Sequence, residues 1–331
     1  MIRRALVTGA TGMLGAYIVE QLVADGVSVR ALVRDPRAAE WLKDLGADVV
    51  AGALEDKHSL LTAATACDTI FHAAAAIGSG GAWETYRRGN VDGTSNVVSA
   101  AAVNGTQVVH VSSTAVYGRA RYRPEPTDET SPLPVLPEHD VYGRSKQEAE
   151  SVVLTAHRDG RVRGTIVRPP VMYGRRDRQF ISRIGPIFRR GVFPLIGGGH
   201  TTLPLAHAGS VAQGAILAAR SDQAGGRVYL LANDHSVDTA LLVECARIGL
   251  ERKVYAPVVP PLVGRAGFGA LHAALHLIGR SDLARHTHGT FEMLTRDNPF
   301  TSARARNELG WQPSVPPETA LVEAFRSWSR Q

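Results

Sequence analysis

The chain has 331 residues, 44% of them apolar and 6% aromatic, enough to bury a large core in one large domain or two; a disordered or fibrous chain is excluded. Lys and Arg outnumber Asp and Glu by 37 to 31, a formal charge of +6, yet no dense basic run appears, which argues against a nucleic-acid partner. Cys67 and Cys245 make neither a disulfide framework nor a zinc spacing, and no charge-free apolar stretch is long enough to span a bilayer.

Taken in order, the chain alternates strands and helices. The first strand, Ala5-Leu6-Val7, starts by Arg3 and runs straight into Thr8-Gly9-Ala10-Thr11-Gly12-Met13-Leu14-Gly15. That leaves no room for a signal peptide, so the expected location is the cytoplasm. A helix opens at Ala16. Val27 to Val33 is a second strand, followed by a helix from about Pro36 to Leu45, and Asp48 to Val50 is a third strand. A helix over Ser59–Ala66, a strand over Thr69–Phe71, a long helix over Trp83–Val103 and a fifth strand over Gln107–Val111 follow. A long loop rich in proline and charge, Gly118 to His139, is expected to be functional. A helix from about Asp140 to Ala156 and the strand Gly164–Arg168 close the regular pattern at Pro169-Pro170.

This pattern predicts an α/β fold: a Rossmann-type, doubly wound parallel sheet over residues 1–170, then a smaller mixed α/β substrate region over 171–331, some of whose segments return to the sheet. In the latter, Ser210–Arg220, Val228–Leu231, Thr239–Ile248, Pro261–Ile278 and Glu318–Trp328 read as short elements.

Strand, glycine turn and helix together suit a dinucleotide. Gly9, Gly12 and Gly15 let the chain turn sharply, let a pyrophosphate approach the backbone, and let the helix pack close. The pyrophosphate then meets the free N–H groups and positive dipole of a helix N-terminus. Further on, the fifth strand ends in Ser112-Ser113-Thr114, and Tyr142 and Lys146 stand four apart on one helical face. A cation beside a phenol lowers its pKa, which makes Tyr142 a general acid/base for a carbinol–carbonyl interconversion. Ser113 is placed to hydrogen-bond the substrate oxygen.

With these motifs the chain resembles the extended short-chain dehydrogenase/reductases, also called the NAD-dependent epimerase/dehydratase family. The likeness runs through Thr8–Gly15, Arg88-Gly89-Asn90-Val91-Asp92-Gly93-Thr94, Ser112–Gly118, Tyr142–Lys146, Arg168–Gly174 and Asn307–Pro313. It implies a catalytic triad of Ser113, Tyr142 and Lys146. It also implies a cofactor cleft lined by Gly9, Thr11, Gly12, Met13, Leu14, Gly15, Leu54, Ala73, Ala74, Asn90, Tyr142, Lys146 and Pro169, with Lys146 on the nicotinamide ribose. One departure is Gly52-Ala53-Leu54, where the family often has Gly-Asp-Leu at the adenine. Relatives that dimerise through four helices make a homodimer the expectation, with Trp83–Val103 and Asp140–Ala156 as the contact.

At the end of the second strand stands Val33-Arg34-Asp35-Pro36, similar to dihydroflavonol reductase-like enzymes. A guanidinium there suits a ribose 2′-phosphate, so NADP(H) is favoured, with NAD(H) the alternative through Asp35. The intact triad argues against a non-catalytic cofactor-sensing regulator. Thr114-Ala115 stand where dehydratases carry an acidic pair, and Leu203 stands where nucleotide-sugar enzymes place a diphosphate-gripping arginine. Arg175, Arg176 and Arg178 remain as substitutes for that grip, so a nucleotide-sugar 4-epimerase or reductase is the alternative function. Val258–Ile278 is almost uncharged apart from Arg265. Such segments are commonly core helices; the alternatives are a lid over an apolar pocket or an interfacial segment. His272 and His276 lack a third ligand, and no metal site is expected. With Gly80-Gly81-Ala82-Trp83, this half is similar to the 3β-hydroxysteroid dehydrogenase-like and 2-alkyl-3-oxoalkanoate reductase-like branch. The expected reaction is ketone–alcohol interconversion on an apolar skeleton (steroid-like, flavonoid-like or long-chain β-keto).

Overall fold

The computed structural model describes every residue except 1, 79–80, 233–234, 281–289, 314 and 331, and the side chains of 119–120. Gly80, singled out above, lies outside the described residues. In chain order the regular elements are β1 (Arg4–Thr8), α1 (Met13–Ala24), β2 (Ser28–Val33), α2 (Trp41–Asp44), β3 (Asp48–Ala51), α3 (Lys57–Ala64), β4 (Thr69–His72), α4 (Trp83–Tyr86), α5 (Gly93–Asn104), β5 (Gln107–Val111), α6 (Val141–Arg158) and β6 (Gly164–Arg168). There follow β7 (Val171–Tyr173), α7 (Ile181–Arg189), β8 (Leu195–Ile196), β9 (Leu205–His207), α8 (Ala208–Arg220), β10 (Val228–Leu230), α9 (Thr239–Gly249), β11 (Val258–Val259), α10 (Pro261–Leu277), α11 (Ala303–Leu309) and α12 (Pro317–Ser329).

The chain separates into two compact units. The first comprises residues 1–170, 208–232 and 301–313, so it is discontinuous in sequence. Its seven strands are parallel, in the order β10-β6-β5-β4-β1-β2-β3. The order reverses between β1 and β4, the position at which an open α/β sheet leaves a crevice beyond its carboxyl edge. The inner strands are buried along almost their whole length, because helices cover both faces. On one face Leu6, Ile70, Val108 and Ile166 pack with Leu60, Val97 and Val153. On the other, α1 lies against α8, and Gln21 Nε2 donates to the Gly209 carbonyl at 2.8 Å. The 301–313 segment is pinned by Trp311, fully buried, whose indole N–H donates to the Ser210 carbonyl at 2.9 Å.

The helix expected over Trp83–Val103 is interrupted. Residues Arg87–Asp92 wind as a π-helix between α4 and α5. Such bulges concentrate at functional positions, because they re-aim a side chain without ending the helix. Here the re-aimed side chain is Asn90.

The second unit, 171–207, 233–300 and 314–331, holds the short parallel pairs β7–β9 and β8–β11. Its core joins Phe188, Phe193, Leu203, Leu205, Leu242, Leu321 and Phe325. Gly185 is required there: a Cβ on it would lie 2.5 Å from the Trp328 ring.

Candidate active site

The predicted site residues follow the strand ends of the first unit by a few positions. Thr8 is in register with Leu32 and His72, and His72 with His110. Gly9, Arg34, Ala73, Ala74 and Ser113 come next along their strands, so register alone delivers them to one edge of the sheet. The glycine turn is built for close approach. Gly9 has φ +72, and a Cβ on it would lie 2.6 Å from the Ala74 amide nitrogen. A Cβ on Gly15 would lie 2.1 Å from the Gly9 carbonyl oxygen. Gly12 caps α1 with no side-chain hydrogen bond, so the first-turn N–H groups keep their donors for another partner. An unshielded N-terminus over a cradle without Cβ atoms fits the pyrophosphate of a nicotinamide dinucleotide.

At the end of β2, Arg34 and Asp35 are both exposed, but they differ in engagement. The Asp35 carboxylate accepts the Arg37 and Ala38 amides at 3.0 and 3.4 Å, capping the turn that follows. Beyond β3, Ala53 stands in place of an acid and Leu54 packs on Gly93, with its carbonyl bonded by Asn96 at 2.8 Å.

Asn90 is buried and its amide is fully engaged. Oδ1 accepts the Ala76 amide at 2.7 Å; Nδ2 donates to the Ala76 carbonyl at 3.1 Å and to Ser145 Oγ at 2.9 Å. Ser145 in turn donates to the Tyr142 carbonyl at 2.8 Å. Asn90 therefore ties the Ala73–Ala76 run to the turn of α6 that carries Tyr142.

α6 starts at Asp140, whose carboxylate accepts the Gly143 amide at 3.0 Å. Tyr142 is half-buried, with Ser113 beside its hydroxyl. Burial pushes the phenol up to about 12, against the opposing influence of Ser113. The expectation that Lys146 holds this phenol down is corrected. Lys146 Nζ donates instead to the Val111 carbonyl at 2.7 Å, and burial lowers the ammonium itself to about 8, opposed by Glu150. Tyr142 thus stands protonated at neutral pH, the state that a proton donor needs. The Pro169 carbonyl accepts the Thr114 amide at 2.9 Å, which laces the ends of β5 and β6 together beside Ser113.

Two supports escaped the sequence reading. His72 bonds Thr8 Oγ1 through Nδ1 at 2.8 Å and Thr94 Oγ1 through Nε2 at 3.0 Å. Burial, reinforced by the Lys146 charge, lowers it to about 3, so it is a neutral strut between the glycine turn and α5. Arg168 pairs with Glu150 in a buried bidentate contact and donates to the Tyr117 hydroxyl at 2.6 Å. The only local hint was that Glu150 follows Lys146 by one helical turn.

A family model described as the NAD dependent epimerase/dehydratase family matches residues 5–232. The chain is 33% identical over 330 residues to a 4-hydroxy-2-methyl-3-oxo-4-farnesyl-3,4-dihydroquinoline-1-oxide ketoreductase of Stigmatella aurantiaca, covering 96% of this chain and 94% of that one. It is 28% identical over 341 residues to a 2-alkyl-3-oxoalkanoate reductase of Stenotrophomonas maltophilia, covering 96% and 97%. Among solved structures, UDP-glucuronic acid 4-epimerase from Bacillus cereus, in complex with UDP-glucuronic acid and NAD, superposes with a TM-score of 0.74 over 99% of this chain and 100% of that one; at 15% identity this likeness is one of fold. By this match and by the architecture above, the chain belongs to the NAD dependent epimerase/dehydratase family.

Proposed function

We propose that this chain is an NADP(H)-dependent ketoreductase that interconverts a ketone and a secondary alcohol on an apolar skeleton. The observation that carries the chemistry is the Ser113–Tyr142 contact, with a phenol kept protonated by burial and a buried Lys146 one turn away. The nicotinamide, when bound, supplies or accepts the hydride. The glycine turn and the uncapped end of α1 would hold its pyrophosphate. In the reducing direction the Ser113 and Tyr142 hydroxyls orient the carbonyl oxygen, and Tyr142 delivers its proton to that oxygen as negative charge develops there. The Lys146 ammonium, fixed on Val111, would hold the nicotinamide ribose one helical turn from the phenol. In the oxidising direction Tyr142 takes the proton back. Asp35 is occupied with its turn, and this supports Arg34 as the group that meets a 2′-phosphate.

An apolar substrate is supported by two features. Leu203 belongs to the hydrophobic core of the second unit, so the position of the diphosphate-gripping arginine contributes packing instead of charge. The two curated relatives above carry names of a farnesylated 3-oxo-dihydroquinoline oxide and a 2-alkyl-3-oxoalkanoate as substrates. Calorimetric titration tests the reading, with cofactor present. UDP and dTDP are expected to give no heat of binding, and a long-chain β-keto acid or polycyclic ketone is expected to bind. Micromolar nucleotide binding with no response to any apolar ketone would replace the reductase with the nucleotide-sugar 4-epimerase.

A further inference from the structure

We infer that His110 and Ser112 hold buried water beside Lys146, and that His110 is thereby a positioning residue that keeps the Lys146 ammonium charged at neutral pH. The alternation of β5 places Val108 on the sheet face that packs with Val97 of α5 and Val153 of α6. His110 stands two residues further on. Ser112 stands two beyond that, its amide still donating to the Val167 carbonyl at 2.8 Å. Both are buried, at 1% and 3% exposure. Among the described residues neither of the His110 ring nitrogens has a hydrogen-bond partner, nor does the Ser112 hydroxyl. Native interiors rarely leave such groups unmatched; where they do, an ordered water or a functional role accounts for it. The neighbouring His72 is not the missing partner. Its ring lies 5.2 Å from that of His110, tilted by 40°, but both its nitrogens are taken by Thr8 and Thr94.

Lys146 arrives from α6 and donates at 2.7 Å to the carbonyl of Val111, the residue between these two side chains. An ammonium carries three N–H donors, so Val111 alone does not saturate it. The Lys146 charge is felt at His110: burial first, then that charge, drives the imidazole well below its ordinary value. His110 is therefore neutral, with one N–H to donate and one lone pair to accept. A water that accepts from Lys146 and donates to the His110 lone pair and to Ser112 Oγ meets three needs at once. A metal cation is disfavoured there by the Lys146 charge, and an anion by the Glu150 carboxylate. The other groups facing Lys146 are fixed. Glu150, one turn further along α6, opposes its lowering and is clasped by Arg168 of β6. His72 of β4 is neutral, and Tyr142, one turn back, is protonated. Against burial, the Glu150 charge and local hydration are what favour the ammonium. The positioning role rests on the reductase reading of Lys146, but the hydration is measurable without turnover.

Two measurements on the cofactor-free protein test the inference. A high-resolution crystal structure should show water within hydrogen-bond reach of a His110 nitrogen, Ser112 Oγ and Lys146 Nζ; a dry contact there overturns it, whether or not any variant folds. The lysines are Lys43, Lys57, Lys146 and Lys253, so in lysine-labelled protein the Lys146 Cε resonance is assigned with Lys146→Arg. It should titrate at about 8 in the parent. His110→Leu fills the space with an apolar side chain and should move that midpoint down by about one pH unit, carrying the alkaline limb of kcat/KM with it. Ser112→Ala, which removes one partner of the water, should move it the same way by less. His110→Gln keeps a donor and an acceptor and should hold the midpoint near the parental value. A merely structural His110 gives a different result: Leu relieves an unmatched buried imidazole, raises the melting temperature and leaves the Lys146 midpoint in place. That outcome, or an equal shift in the Leu and Gln variants, overturns the inference. Hydration and midpoint shift without any ketone reduction would support it and reject the reductase reading alone.

Discussion

Glu150 clasps Arg168 with both carboxylate oxygens, at 2.8 Å to Nε and 2.6 Å to Nη2, one helical turn beyond Lys146. The pair ties α6 to the end of β6, and its carboxylate is the charge that opposes the lowering of the Lys146 ammonium. Glu150→Gln leaves Arg168 buried without its counter-charge. Unfolding in urea should show a loss of about 3–5 kcal/mol. The same variant takes away the charge that raises Lys146, so Lys146 should deprotonate at lower pH than in the parent. The alkaline limb of kcat/KM should move down with it. A stability loss with an unmoved limb would reduce Glu150 to a structural brace.

The parent profile has its own sign. Reduction needs a protonated Tyr142, lifted to about 12, and a charged Lys146, lowered to about 8. The lower of the two controls the alkaline side. kcat/KM for NADPH, which reports groups of the free enzyme, should be flat below about 8 and fall above it. Tyr142→Phe should reduce kcat by about 10²–10⁴-fold with NADPH affinity unchanged. Full activity in that variant, or a limb lying well above Lys146, would remove Tyr142 or Lys146 from the mechanism.

Arg34→Ala separates the two cofactors. A charge-assisted contact to the 2′-phosphate contributes about 1.5–3 kcal/mol, or roughly 10- to 100-fold in affinity. Fluorescence titration should show NADPH weakened by that factor and NADH nearly unaffected. Equal losses, or a parent that prefers NADH, would return the ribose contact to Asp35.

Gly15→Ala puts a methyl group 2.1 Å from the Gly9 carbonyl oxygen. The turn must open, so the urea midpoint should fall by the equivalent of about 1–3 kcal/mol or more and NADPH binding should be lost. Gly105→Ala is the matched control: φ is +64, but nothing lies within 4 Å of the added Cβ. It should lose about 1 kcal/mol from its left-handed backbone and keep the cofactor.

What the sequence made legible was local. The glycine turn, the Tyr142–Lys146 spacing and the strand–helix alternation each lie within a few residues, and each has a direct geometric consequence. The π-helical turn at Asn90 was not legible, because its partners Ala76 and Ser145 are 14 and 55 residues away. The rise of the Tyr142 phenol escaped for a related reason: proximity of Lys146 can be read from spacing, whereas burial depends on the finished fold. The exposure of α10, of which only Gly264 is buried, was equally hidden, since an apolar run has the same pattern in a core and on a surface. Leu203 was legible as a missing charge; its burial in the core of the second unit was not.

The dinucleotide unit is assembled from three stretches, the last of them Thr301–Pro313. During synthesis, β6 emerges well before its sheet neighbour β10, and Trp311, buried against the Ser210 carbonyl in the finished unit, arrives later still. At about 5–20 residues per second, the nascent sheet waits several seconds or more with an open β6 edge. An unpaired edge is a template for association. Emergence of Trp311, rather than of the glycine turn, therefore sets the moment at which this unit becomes a closed body, and a chain that stops short of Trp311 should be a substrate for chaperones and proteases.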